Sequence, residues 1–188
     1  MAAPLPTPDP PRMSREEYRR WAEAQPRGRF ERVAGEVVAM APERAAHNRV
    51  KARVWRALDA AVRAAGLPCE ALGDGITVEI GDDHDFEPDA VVNCGDPLAP
   101  DAVAAPNPVV VVEVLSPSTR SVDTGGKLAE YFGVPSVEHY LILRADRPQV
   151  IHHRRRGGGI ETRVLAEGAL RLDPPGIEVA IADFYPEP

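Results

Sequence analysis

Two acidic residues stand beside strongly apolar stretches, and they are the residues best placed for chemistry. Asp89 follows Glu87 and Pro88, and Glu113 comes directly after four consecutive valines. Such a run is typical of a central strand covered on both faces, where an unpaired carboxylate is costly. Two such carboxylates would also repel each other, and a hard cation such as Mg²⁺ would neutralise both. The residues therefore predict a metal site at Asp89 and Glu113. The alternative is an Asp in a turn and a Glu at a strand edge.

Lys127, which carries a positive charge, follows Glu113 in the sequence. Asp123, Lys127 and Tyr131 are spaced i, i+4 and i+8, which places them along one face of a helix. Ser116 and Pro117 end the preceding strand, so the helix must begin close to Glu113. Lys127 is therefore predicted to reach the acidic pair. The alternative is a surface ion pair between Asp123 and Lys127.

The patterning along the chain predicts the elements that position these residues. Capping and helical periodicity predict helices over residues 14 to about 24, about 43 to 65, and about 123 to 133. Alternation and turn residues predict strands over residues 30–34, 36–40, 76–80, up to about 92, 109–115, 139–143, 150–155 and 160–165. Residues 82–87 are predicted to form an acidic loop. This order predicts an α/β (α+β) fold with helices on the faces of a mixed central sheet.

Length and composition set the broad class. With 188 residues, the chain is predicted to form a flexible proline-rich tail over 1–12 and a single domain over 13–188. The formal charge of −7 requires a local basic patch for any binding of nucleic acid. Cys69 and Cys94 are isolated in sequence, which predicts neither a zinc site nor a disulfide and suits a reducing cytoplasm. No apolar run reaches the roughly 20 residues of a membrane span, and no signal peptide is visible. The chain is predicted to be cytoplasmic.

Taken together, the motifs resemble the Uma-type family of restriction-endonuclease-like proteins, in the PD-(D/E)XK nuclease superfamily. The likeness spans about residues 14 to 184, and its N-terminal part is the hairpin Glu31…Gly35-Glu36 followed by His47. The remaining motifs are Pro88-Asp89, the Glu113 to Ser118 segment, Asp123, Lys127, Tyr131 and Gly133-Val134-Pro135. The resemblance implies a restriction-endonuclease-like fold, with a mixed central sheet flanked by helices.

The resemblance also implies roles for individual residues. Asp89 and Glu113 would bind Mg²⁺ (or Mn²⁺), and Glu36 would be an additional metal-binding acid. Lys127 would be the superfamily lysine, supplied from a helix. Its acidic neighbours should raise its pKa, which suits it to orient water and stabilise phosphate rather than to act as a base. His47 would be a helper base, or alternatively a solvated residue. The implied activity is metal-dependent hydrolysis of DNA phosphodiester bonds.

The chain departs from the superfamily pattern at two places. Leu115 occupies the position where the superfamily usually has a lysine, as is common within the family. In the strand after the third helix, Tyr140 keeps an aromatic residue, but Leu143 replaces a carboxylate. A fourth acid is therefore absent.

Basic residues suggest how a nucleic acid could bind. The second predicted helix carries arginines at 49, 53, 56 and 63 on roughly one face, and a hairpin strand ends in Arg154-Arg155-Arg156. These residues, Arg49, Arg53 and Arg56 in particular, could contact DNA phosphates, although charged helix faces are usually just solvated. A homodimer is an open alternative to a monomer.

Two other function classes remain open at this point. One is a catalytically inactive nuclease-fold protein that binds nucleic acid or another partner. The other is a glycosidase with an acid/base pair, which would need aromatic sugar platforms, although aromatic residues make up only 5% of the chain.

Overall fold

A computed structural model describes residues 12–115 and 124–186. The predicted tail up to residue 11, the loop residues Ser116 and Pro117, and Asp123 lie outside the described residues. The described helices are α1 (Arg15–Glu23), α2 (Ala45–Ala65), α3 (Thr124–Gly133) and a 3₁₀ helix (Ile181–Phe184). The described strands are β1 (Phe30–Val33), β2 (Glu36–Ala39), β3 (Cys69–Gly73), β4 (Val78–Ile80), β5 (His84–Phe86), β6 (Ala90–Cys94), β7 (Pro108–Leu115), β8 (His139–Arg144), β9 (Val150–Arg156), β10 (Gly159–Leu165), β11 (Ala169–Leu172) and β12 (Ile177–Ala180).

The main sheet has six strands in the order β10-β9-β8-β7-β6-β3. β7 and β8 are parallel and connected through α3, while the other neighbouring pairs are antiparallel. This confirms the predicted mixed sheet. β7 lies in the interior of this sheet, as the valine run predicted. Glu113 is therefore carried by a central strand.

The two faces of the main sheet are covered by different elements. Along β7, Val110, Val112 and Val114 pack in one core, with the α2 residues Val54 and Leu58. Val111, which lies between Val110 and Val112 in the sequence, faces the other way. It packs in a second core, which includes residues of β4, β5 and α3. Because strand side chains alternate between faces, Glu113 points toward this second core.

A second sheet, β2-β1-β5-β4, lies on the α3 side of the molecule. The β1–β2 turn is made by Ala34 and Gly35, both with positive φ, as two-residue hairpins require. The prediction of an acidic loop over residues 82–87 is wrong, because His84–Phe86 forms β5. Buried Asp85 pairs with buried Arg32 of β1, so its charge is neutralised inside the sheet.

The prediction that the cysteines stay unpaired is also wrong. Cys69 and Cys94 are cross-strand partners on β3 and β6 and form a disulfide. The sequence interpretation had not recognised β3, so nothing indicated that the two residues would be neighbours. The cytoplasmic prediction loses the part of its support that came from isolated cysteines. β11 and β12, which pack beside α2, were also not predicted. Among the described helices, none combines the length and the apolarity needed to cross a membrane.

Candidate active site

Asp89 is fixed at the start of β6 by contacts with β7. Its backbone N–H donates to the Val112 carbonyl at 2.9 Å, and its Oδ2 accepts the Val114 N–H at 2.6 Å. These two hydrogen bonds lie on either side of Glu113. The structure therefore places Asp89 and Glu113 at the same end of the neighbouring strands β6 and β7, and the metal site predicted at this pair stays a prediction.

Glu113 is held by two side chains of α3. Lys127 Nζ lies 3.0 Å from Glu113 Oε1, and the Tyr131 hydroxyl donates to the same oxygen at 2.9 Å. Lys127 and Tyr131 are four residues apart, so one face of α3 delivers both groups. The predicted approach of Lys127 to the acidic pair is present as a direct contact with Glu113.

The acid that the N-terminal hairpin contributes is Glu31 rather than Glu36. Glu31 Oε1 accepts from Lys127 Nζ at 2.9 Å and from the Glu87 N–H at 3.0 Å. Glu36 stands at the turn end of β2, is partly exposed, and pairs with Arg12 at 3.8 Å. Among the described residues, Glu36 makes no hydrogen bond or ion pair with the side chains around Asp89 and Glu113. The structure therefore does not bring Glu36 to the site. Glu31 belongs to the hairpin motif that carries the resemblance, but the role of the additional acid was predicted for Glu36.

The first half of α2 supplies two further side chains, which are spaced by one helical turn. His47 Nε2 lies 2.5 Å from the Val114 carbonyl and 3.5 Å from Asp89 Oδ2. Because a carbonyl only accepts, Nε2 carries the proton in this arrangement. Lys51 Nζ lies 3.0 Å from Asp89 Oδ1 and 2.6 Å from Asp74 Oδ2. The structure thus places His47 at the site as a donor, and it adds Lys51, which sequence reasoning had missed.

Lys51 belongs to a wider network of charges at the same end of the sheet. Lys51 also contacts Glu43. Arg29, which directly precedes β1, pairs with Glu43 at 3.2 Å and with Glu87 at 3.0 Å. Asp74 contacts Arg29 as well as Lys51. The acidic side chains around Asp89 are therefore paired with cations from two separate elements.

The two acids of the site respond to their surroundings in opposite directions. Burial alone would raise the pKa of Asp89, but the hydrogen bond from His47, the charge of Lys51 and the Val114 N–H lower it. Burial raises the pKa of Glu113 to about 7, although Lys127 opposes this effect, and the negative charges of Asp89 and Glu31 add to it. At neutral pH Glu113 is therefore the acid that holds a proton more readily.

Lys127 remains charged at neutral pH. Burial alone would lower the pKa of Lys127, but the charges of Glu113 and Glu31 outweigh that effect and raise it well above its usual range. The pKa of His47 is raised in the same way, since its hydrogen bond to Asp89 and the charge of Asp89 outweigh burial. A Lys127 that keeps its proton cannot serve as a general base, as the sequence also predicted.

The donor set at the site is made of oxygens. Within residues 12–115 and 124–186, no group of three or more His, Cys, Asp or Glu side chains is arranged to hold a metal ion. Asp89 and Glu113 still present carboxylates from adjacent strands. The Val114 carbonyl lies near Asp89, since His47 contacts both groups. Carboxylate and carbonyl oxygens are the ligands that a hard cation prefers. The chemistry of this set fits Mg²⁺ or Mn²⁺, with water or phosphate oxygens completing the shell.

The arginines predicted to contact DNA lie apart from this site. Arg49 and Arg56 are exposed and Arg53 is half-buried, on the side of α2 away from its buried stripe. The C-terminal arginine run is partly structural, because Arg154 donates to the Asp173 carbonyl and Arg155 to carbonyls at the end of α3. Two of the three residues in that run therefore stabilise loops.

Comparison with known families identifies the family to which the chain belongs. Residues 15–182 match the model of the Uma2 family, which is described as "Putative restriction endonuclease". The match covers most of the chain, and the protein belongs to this family. The resemblance seen in the sequence motifs is thereby confirmed.

Individual relatives extend over most of the chain. The protein named "Uncharacterized protein slr1290" from Synechocystis sp. (strain ATCC 27184 / PCC 6803 / Kazusa) is 28% identical over 192 residues, covering 98% of this chain and 97% of that protein. The protein named "Uncharacterized protein sll1609" from the same organism is 27% identical over 138 residues, covering 72% and 77%.

A solved structure supports the fold. The crystal structure of a "putative nuclease belonging to DUF820" from Anabaena variabilis ATCC 29413 superposes with a TM-score of 0.71 at 16% identity. The match covers 92% of this chain and 97% of that chain. The mixed α+β architecture is thus that of a nuclease-fold protein, as the sequence predicted.

Proposed function

We propose that this protein is a metal-dependent endonuclease that hydrolyses phosphodiester bonds of DNA. The observation that carries the proposal is the half-buried contact of Lys127 with Glu113, beside Asp89 and at the meeting point of β6, β7 and α3. Two carboxylates and a permanently charged ammonium provide binding for a divalent cation and for the charge that develops on a phosphate. Membership of the Uma2 family supports this function.

Each residue of the site would have a distinct role in this reaction. Asp89 and Glu113 would hold the cation, and the Val114 carbonyl is the third oxygen of the set. The cation would polarise the scissile phosphate and lower the pKa of a bound water. Lys127 would donate hydrogen bonds to the attacking water or to a phosphate oxygen, because it keeps its proton. Glu31 would orient Lys127 by accepting a second hydrogen bond from it.

His47 has a different part in this proposal. Its Nε2 donates to the Val114 carbonyl in the described arrangement. This nitrogen therefore acts as a hydrogen-bond donor and cannot accept a proton from water while it does so. His47 would therefore position the Asp89 end of the site instead of deprotonating water.

One observation favours a second candidate, an inactive nuclease-fold protein that binds a partner. Asp89 is already neutralised by Lys51 at 3.0 Å, and His47 lies 3.5 Å from it. A carboxylate with a cationic neighbour attracts a metal ion less strongly than a free one. The two candidates differ in whether the protein binds a divalent cation and cleaves.

The test measures cleavage and metal binding on the same proteins. Supercoiled plasmid, single-stranded DNA and RNA would each be incubated with Mg²⁺, Mn²⁺ or chelator, and metal binding would be followed by calorimetry. Asp89→Asn and Glu113→Gln remove one charge each while keeping size. Glu178→Gln is the matched control, because Glu178 is exposed on β12.

We expect metal-dependent DNA cleavage by the wild-type protein and the Glu178→Gln control, and loss of cleavage in both site variants. Cleavage that persists in Asp89→Asn and Glu113→Gln would refute the assigned roles. Metal binding without cleavage of any substrate, or no metal binding at all, would favour the inactive candidate.

A further inference from the structure

The main sheet ends in an unprotected strand. β10 pairs with β9 over all seven of its residues, without a bulge, and within the described part of the chain no strand pairs with its other edge. All of its residues except the last are exposed, including Ile160 (44%) and Val164 (62%). An open edge presents a row of backbone N–H and C=O groups to which another strand can pair.

The opposite edge of the same sheet is different. β3 is mostly half-buried, and the side chain of Glu70 accepts the backbone N–H of Leu98 from the following loop. α2 also packs against this edge strand. Edges are usually protected by proline, a bulge, a short length or charged side chains, and β10 (GIETRVL) has only the last of these features, in Glu161 and Arg163. Of the two edges, only β10 is available for pairing.

The side chains of β10 are complementary to themselves. In an antiparallel pair of two copies, centred on Thr162, Glu161 lies opposite the partner's Arg163, and symmetry produces this pair twice. The same register places Ile160 opposite the partner's Val164, again twice. Opposite charges and β-branched apolar residues are favourable when they face each other across strands.

Two other registers are unfavourable. Centring the pair on Arg163 places Arg163 opposite the partner's Arg163, and centring it on Glu161 brings two glutamates together. Like charges directly opposite each other destabilise a strand pair. Of these three registers, the charges favour the one centred on Thr162.

We infer that β10 is the interface of a homodimer in which two six-stranded sheets join into one. The contact is isologous, so it uses the β10 edge of each copy and closes without forming a fibre. Glu161 pairs with Arg156 of its own chain at 3.1 Å, but both side chains are exposed and can exchange partners. The inference is independent of the proposed activity, because it rests on β10 alone.

The test is a charge swap followed by sedimentation velocity over a range of protein concentrations. Glu161→Arg and Arg163→Glu each turn both attractive pairs into repulsive ones. We expect a dimer for the wild type and a dimer dissociation constant about tenfold higher or more for each single variant. Arg171→Glu is the matched control, since Arg171 is exposed on β11 and makes the same change of charge outside β10.

Recovery of the dimer is the decisive measurement. An equimolar mixture of Glu161→Arg with Arg163→Glu restores both attractive pairs, as does the double variant, so both should dimerise as the wild type does. Circular dichroism of each variant checks that the fold is kept. A monomeric wild type, a dimer that the single variants do not weaken, or a mixture that stays monomeric would each overturn the inference.

Discussion

Lys51 Nζ lies 3.0 Å from Asp89 Oδ1, and the same ammonium contacts Asp74 and Glu43. One buried cation thus neutralises three acids from three parts of the chain. Replacing Lys51 with Met leaves these acids without their shared partner, and breaking a buried ion pair on one side is strongly destabilising. We expect Lys51→Met to lower the free energy of unfolding by about 2–4 kcal/mol, measured by urea denaturation at neutral pH.

Added divalent cation should recover part of this loss, because Mg²⁺ can neutralise Asp89 in place of Lys51. Arg56→Met is the matched control on the same helix, since Arg56 is exposed. A Lys51→Met protein as stable as the wild type would show that the network contributes nothing to folding. Destabilisation that Mg²⁺ leaves unchanged would argue against metal binding at Asp89.

The second prediction separates the two acids of the N-terminal hairpin. Glu31 accepts from Lys127 at 2.9 Å, whereas Glu36 pairs with Arg12 near the surface. Residues that orient a catalytic group typically cost about 10- to 100-fold in activity when they are replaced. We expect Glu31→Gln to lower the cleavage rate by that amount and Glu36→Gln to leave it unchanged. Equal losses in the two variants would restore the role that the family resemblance gave to Glu36.

Parts of the fold were predictable because their signals are local. Ser14 caps α1 with a capping box to Glu17, and Ala34-Gly35 makes a two-residue turn. These features depend on neighbouring residues only. The β7 valine run was equally clear, and it placed Glu113 correctly on an interior strand.

Other parts depended on contacts between distant segments. β5 looked like an acidic loop because the burial of Asp85 is possible only once Arg32 and Arg15 reach it from far away in sequence. Lys51 stood among the arginines of α2, and its one signal was a spacing of four residues from His47. The Cys69–Cys94 disulfide required β3 to be recognised first.

The third prediction concerns the pH dependence of stability through Glu113. Burial raises its pKa in the folded protein from 4.5 to about 7, so between these values the folded protein binds more protons than the unfolded chain. The contribution of Glu113 to stability is therefore complete below about pH 4.5 and is lost as the pH rises through about 7. Glu113→Gln cannot ionise, and its stability relative to the wild type should rise over this range by on the order of 2–3 kcal/mol.

The measurement is urea denaturation of both proteins at a series of pH values without metal. Glu178→Gln serves again as the control for replacing a glutamate with glutamine. A constant difference between Glu113→Gln and the wild type would mean that Glu113 is ionised throughout. Bound Mg²⁺ should shift the wild-type profile toward higher stability at neutral pH, because it favours the ionised carboxylate.

The last prediction concerns a buried histidine pair away from the acids. His139 Nδ1 lies 2.8 Å from His152 Nε2, so one nitrogen donates to the other and both rings can remain neutral. Burial lowers the pKa of each to about 4, and the neighbouring positive charge of Arg154 adds to this effect. Between about pH 4 and 6.5 the unfolded chain therefore binds more protons than the folded protein, and stability falls as the pH decreases.

The double variant His139→Leu/His152→Leu replaces both partners with apolar groups, which is nearly neutral when the shape is kept. Its free energy of unfolding, from urea titrations across this range, should lose less than that of the wild type as the pH falls, by on the order of 2 kcal/mol. His84→Gln, which changes a half-buried histidine near Glu130, is the control and should follow the wild type. If the double variant and the wild type lost stability in parallel, the acid sensitivity would have to come from other groups.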